Sequence, residues 1–69
     1  MNNDPIQRKI ADRYTGERCY LDGAPARITG RLNSVGTVAP DDPAVSSVEF
    51  SWHAINRIMQ AGGYFRTGY

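Results

Sequence analysis

Residues 48–59 read VEFSWHAINRIM, and the spacing of their apolar positions changes halfway. Val48, Phe50 and Trp52 alternate with polar residues, as in a strand with one buried face. Ala54, Ile55, Ile58, Met59 and Ala61 then recur at helical spacing. The pattern predicts a strand over 45–51, with Val48, Phe50 and Trp52 facing inward, followed by a short helix. Ser51 is the natural N-cap at the junction, and Gly62-Gly63 stops the helix.

The same two periods divide the rest of the chain. Ile6, Ile10 and Tyr14 follow at four-residue spacing with Ala11 beside them, after an Asp4 cap and Pro5 at the first helical position. They predict an amphipathic helix or helical tail ending near Gly16, too short to be stable without packing on something. From Glu17 the period becomes two. ERCYLD is strand-like, and Asp22-Gly23 is a two-residue hairpin signal. A second strand over 26–32 places Ala26, Ile28 and Leu32 on one face and Arg27, Thr29 and Arg31 on the other. Gly30 falls on the apolar face, where a missing side chain marks a bend or bulge in a tightly curled sheet. A turn at Asn33-Ser34 leads to a third strand over 35–39, and the PDDP turn at 40–43 follows. Tyr64-Phe65-Arg66 forms a closing strand.

A helix, four meandering strands, a short helix and a last strand make up the connectivity of an SH3-like barrel. The predicted fold is therefore mainly β: a small five-stranded barrel over 16–69, with a short helix between strands 4 and 5 plugging one open end. An N-terminal helix or tail over 1–15 precedes it. A small open α+β sheet with the same elements is the alternative.

Size and composition narrow what such a domain does. The chain has 69 residues, one domain's worth. Folding at this size buries only about 60 % of the surface of the unfolded chain, so a deep catalytic cavity would compete with the core. The single cysteine, Cys19, excludes an internal disulfide, and with the single histidine, His53, it excludes a Cys/His zinc site within one chain. No metal or cofactor is expected, and oligomerisation is left as the supplementary stabiliser. No apolar run approaches the roughly 20 residues that span a bilayer. Residues 1–10, MNNDPIQRKI, lack the apolar core of a signal peptide, and a lone thiol suits a reducing cytoplasm, so the expected compartment is cytoplasmic. The net charge of +1 exerts no global pull toward nucleic acid.

Two resemblances bear on function. GERCYLDGAPARITGRL and SVEFSWHAINRI, within 16–58, resemble the barrel of the plasmid-borne type II dihydrofolate reductases. Those enzymes share a G-x-R opening, an I-x-G second strand and a final strand running into a short helix. The family's fourth strand, Val-Gln-Ile-Tyr, lines the shared pore of a tetramer. Val48 matches and Phe50 stands for the Ile, but Glu49 and Ser51 replace the ligand-contacting Gln and Tyr. A carboxylate facing anionic folate and a phosphate-bearing cofactor would repel both. The first strand also reads Cys19-Tyr20 where the family has a lysine pair. The resemblance thus implies the fold without the activity. The whole chain is also similar to small proteins of phages and other mobile elements, through a G-x-P-A-x-I-x-G hairpin and an F-S-W-x-A-I-x-R-I helix start. That similarity implies a context, a phage or plasmid accessory protein.

Several residues could carry recognition. A two-residue turn at Asp22-Gly23 sets Arg18 opposite Arg27, an unfavourable like-charge pair that something must compensate. The functional reading is compensation by a partner's phosphate or carboxylate, with Arg31 and the Tyr20 ring completing a basic–aromatic strip; the net charge of +1 favours compensation within the chain instead. Alternatively Glu17 and Glu49 pair with the arginines, or a longer LDGAP loop shifts the register. Trp52 reads as the main core residue, with a binding edge at Trp52-His53 as the other reading. Cys19 shares a face with Leu21 and reads as a buried, inert thiol. Asp41-Asp42 reads as a solvated turn, with weak cation binding as the other reading. Tyr64 and Tyr69 lie in an aromatic-rich C-terminus.

No Gly-rich phosphate loop, paired catalytic carboxylates or metal-ligand cluster is apparent, so no enzyme is expected. The reading is a binding module that docks a host protein and modulates or inhibits it. Its candidate surface is Arg18, Tyr20, Arg27, Arg31, His53, Tyr64 and Tyr69. A nucleic-acid-binding small barrel is the alternative, and an oligomeric reductase-like enzyme the second. A homo-oligomer is compatible with each; a membrane partner is not expected.

Overall fold

A computed structural model describes residues 5–30 and 35–67. The elements run α1 (Pro5–Tyr14), β1 (Arg18–Leu21), β2 (Ala24–Gly30), β3 (Val35–Pro40), β4 (Val48–Ser51), α2 (Trp52–Gln60) and β5 (Tyr64–Phe65). The fold is mainly β. Its five strands form one curled sheet, a half-barrel, in the order β4-β3-β2-β1-β5. The Asp4 cap, Arg31, Leu32, the Asn33-Ser34 turn and Tyr69 lie outside the described residues.

The β1–β2 hairpin is set by its turn. Leu21 pairs directly with Ala24, so Asp22 and Gly23 are the whole loop. Both have positive φ, 52° and 85°, which matches the right-handed twist of the flanking strands. Pairing from Ala24 onward starts β2 two residues before the predicted position, because so tight a turn leaves no unpaired residue after it. The register that follows places Arg18 opposite Arg27, as the two-residue loop requires.

A bend or bulge is expected at Gly30 in a curled sheet; the sheet is curled but no bulge forms. β2 and β3 pair without interruption from Ala26↔Pro40 to Gly30↔Gly36. The glycines make room for the Trp52 indole, whose Cζ2 and Cη2 atoms lie against both strands. A Cβ at Gly30 would come within 2.7 Å of Trp52 Cζ2. One at Gly36 would come within 2.6 Å of Trp52 Cη2 and 2.7 Å of Ile55 Cδ1. Trp52 is 0 % exposed and is the largest core side chain, among Ile28, Val38, Ile55 and Phe65. The core reading of Trp52 therefore holds.

β4 begins at Val48, three residues later than the alternation suggests. The Asp42 carboxylate accepts the Ala44 amide at 2.9 Å and its carbonyl accepts the Val45 amide at 3.1 Å, holding these residues in the turn. Val45 is consequently exposed. At the other end of β4 the N-cap forms as expected, with Ser51 Oγ accepting the Ala54 amide at 3.1 Å.

The strand-to-helix switch at Ser51 is the crossover of the fold. β4 is one edge of the sheet, and α2 carries the chain over the inner face to β5 at the other edge. There β5 pairs parallel with β1, Tyr20↔Tyr64 and Leu21↔Phe65, as a crossover connection allows. The two edges meet through side chains, with the Phe50 and Phe65 rings 5.0 Å apart at 59°. Ile58 and Met59 of α2 pack partly buried against the core, while Ala61, predicted in the same stripe, is the exposed C-cap. α1 adds Ile10 and Ala11 to this core, and Tyr14 packs at its margin. Ile6, one turn earlier in the predicted stripe, is 59 % exposed.

Candidate binding surface

Strand alternation divides the sheet between core and solvent. In β1, Cys19 and Leu21 point inward, which leaves Arg18 and Tyr20 on the outer face. β2 presents Pro25, Arg27 and Thr29 there, while Ala26 and Ile28 are buried. Across the sheet the register aligns Tyr64, Tyr20 and Pro25 in one row. Arg18, Arg27 and Ala39 form the next, and Thr29, Thr37 and Glu49 a third.

The first row holds an exposed aromatic pair. The Tyr20 and Tyr64 rings stack with centroids 5.2 Å apart and planes 13° from parallel. They are 42 % and 67 % exposed, the most accessible aromatic rings described. Stacking fixes both rings on neighbouring strands, so little side-chain freedom is left to lose on contact with a partner.

In the second row, the like-charge pair is compensated within the chain by a residue other than those expected. Arg18 Nη2 donates to Asp41 Oδ2 at 2.9 Å, with the two side chains 59 % and 49 % exposed. Neither Glu17 nor Glu49 takes that role. A pair this exposed contributes at most about 1 kcal/mol, but it absorbs the repulsion that the register creates. Asp41 is therefore more than a solvated turn residue. Its place in a turn after β3, across β2 from Arg18, explains why sequence spacing did not connect the two. Arg27 has no ion-pair partner among the described residues.

The remaining candidates separate. His53 is exposed on the first turn of α2, next to β4, at the edge opposite Tyr64. Arg31 and Tyr69 lie outside the described residues. Arg18, Tyr20, Arg27 and Tyr64 are thus the ones that share a surface. Cys19 is buried, and burial, the largest influence, pushes its thiol up against the opposing effect of Arg18. Its burial and its raised pKa both disfavour the reactive thiolate.

Asp22 has a second role. Its carboxylate accepts the Thr67 hydroxyl at 2.7 Å and the Thr67 amide at 3.0 Å, tying the segment after β5 to the hairpin turn beside the tyrosine pair. These hydrogen bonds, the hydroxyl's first, hold the carboxyl below its ordinary value. Sequence reading assigned Asp22 to the turn alone, because nothing in the chain marks Thr67 as its partner.

Among the described residues no three His, Cys, Asp or Glu side chains converge as a metal site, and no helix is long and apolar enough to cross a membrane. Glu49 and Ser51, at the positions where the reductase resemblance has ligand-contacting residues, are exposed, while Phe50 between them is buried. Comparison with protein-family models, curated proteins and solved structures finds no match to this chain.

Proposed function

We propose that the chain is a small non-catalytic binding module that docks a partner protein through the outer face of its sheet and modulates or inhibits that partner. The observation that carries this reading is the exposed, mutually stacked Tyr20–Tyr64 pair with Arg18 and Arg27 in the adjacent row. Tyrosine and arginine dominate the energetics of protein interfaces, and rigid aromatic anchors bind at low entropic cost. In this proposal the module works in the cytoplasm as an accessory of a phage or other mobile element, and its partner is a host protein. The hairpin and helix-start resemblances support that context.

A protein partner suits the surface better than nucleic acid. Each tyrosine already has one ring face covered by the other, Arg18 is engaged by Asp41, and Glu49 adds a like charge to the phosphates on the same face.

The test is an affinity pull-down from host lysate with the wild-type chain, Tyr20→Ser/Tyr64→Ser and Arg18→Ala/Arg27→Ala, with and without nuclease. The expected result is a discrete protein retained by the wild type after nuclease and lost by both variants, which should fold normally. Retention by both variants would refute this surface, and proteins released by nuclease would favour the nucleic-acid reading.

A further inference from the structure

The helical layer has a different charge character from the sheet. α1 and α2 carry Arg8, Lys9, Arg13 and Arg57 against Asp12 alone. In the remainder of the described chain, Glu17, Asp22, Asp41, Asp42 and Glu49 outnumber Arg18, Arg27 and Arg66. Among the described residues, basic side chains thus outnumber acidic ones on the helices and the reverse holds elsewhere.

Between the two helices runs a groove lined by Ile6, Lys9, Ile10, Arg13, Asn56 and Gln60. Its apolar floor includes Ile6, the one member of the α1 stripe left largely exposed. Lys9 and Arg13 are four residues apart on the same side of α1, a spacing at which like charges repel. Neither forms an ion pair among the described residues; Arg13 lies over the Tyr14 ring, 6.0 Å from its centroid. On the opposite wall Gln60 Nε2 donates to Asn56 Oδ1 at 3.4 Å, and α2 contributes no carboxylate. Unlike the Arg18–Arg27 pair, this like-charge pair has no ion-pair partner among the described residues.

We propose that the α1–α2 groove binds an acidic amphipathic peptide segment of a partner protein, on the side of the molecule opposite the tyrosine–arginine strip. Apolar side chains of the peptide cover Ile6 and Ile10, and its carboxylates pair with Lys9 and Arg13. The amides of Asn56 and Gln60 supply polar contacts at the rim. The chemistry selects a peptide over a nucleic-acid strand, because the floor is aliphatic and no aromatic ring lines the groove for base stacking. With contacts on both sides, the module would bridge two partner segments.

The experiment is selection of a random peptide display library on the immobilised full chain, with binding of the recovered peptides measured on the wild type and three variants. The expected peptides carry Asp or Glu around Leu, Ile or Phe at helical spacing and weaken with added salt. Lys9→Glu/Arg13→Glu should weaken them by about tenfold or more. Lys9→Ala, which leaves the helix surface intact if the double reversal perturbs folding, should weaken them in the same direction. Tyr20→Ser/Tyr64→Ser should leave their affinity unchanged, so loss of the tyrosine surface and loss of the groove are read separately. No enrichment of acidic peptides, or peptides insensitive to both α1 variants, would overturn the proposal. So would random single-stranded oligonucleotides that bind the same groove and displace the peptides.

Discussion

The two faces of the sheet are built from alternate residues of the same strands, yet they obey different constraints. Inside, Gly30 and Gly36 leave only enough room for the Trp52 indole, and Ala26, Ile28 and Val38 are 0 % exposed. Outside, the same strands carry Tyr20, Arg18, Arg27, Thr29 and Thr37, of which only Arg18 has a charged partner among the described residues. The inner face is specified by packing. The outer face can vary in chemistry at little cost in stability, which makes it available for recognition.

The largest expected effects fall on the inner face. Trp52→Ala would empty the centre of the core and cost about 3–5 kcal/mol, a large share of the roughly 5–15 kcal/mol that stabilises a typical domain. Gly36→Ala would force a methyl group into Trp52 and Ile55 and cost about 1–3 kcal/mol. If that clash is the cause, Trp52→Phe should relieve part of it. The doubly substituted chain would then be more stable than the sum of the single changes, as measured by urea unfolding. Additive losses would mean that Gly36 serves some purpose other than making room for the indole.

On the outer face, Tyr20→Ser/Tyr64→Ser should lower stability by no more than about 0.5–1.5 kcal/mol, the range for an aromatic pair, since both rings are already exposed. A loss comparable to that of Trp52→Ala would show that these rings belong to the core and would erase the contrast between the faces.

The smallest effect is a pH dependence confined to the edge beside the tyrosines. Asp22 is lowered by its hydrogen bonds from Thr67, so its contribution is present above the ordinary carboxylate value and is lost as pH falls through the lowered one. Hydrogen exchange at the Thr67 amide should accelerate relative to core amides in strong acid, and Asp22→Asn should reduce that acid sensitivity. An unchanged acid response in Asp22→Asn would assign it to another group.

Much of this contrast was readable before folding. Alternation in β1, β2 and β4 sorted Arg18, Tyr20, Arg27 and Glu49 from Cys19, Ile28 and Phe50, because a strand turns successive side chains to opposite faces. Alternation also places Gly30 on the apolar face, but it does not reveal the indole that needs the space. A glycine in a strand has the same pattern whether it accommodates a bulge or an indole contributed from elsewhere in the chain. Val45 satisfied the alternation too, but a local hydrogen-bonded turn at Asp42 took precedence over extending the strand.

By itself the sequence determined the elements, the Asp22-Gly23 hairpin with its opposed arginines, and the switch at Ser51. These depend on local φ/ψ preference, capping and periodicity, all of which act within a few residues. Only the tertiary structure decided that β5 lies parallel to β1, which brings Tyr64 onto Tyr20, and that Asp41 reaches Arg18. It also decided that α1 and α2 leave a basic groove between them. Those contacts depend on the path of the crossover and on which edges it brings together, and chain periodicity carries no record of either.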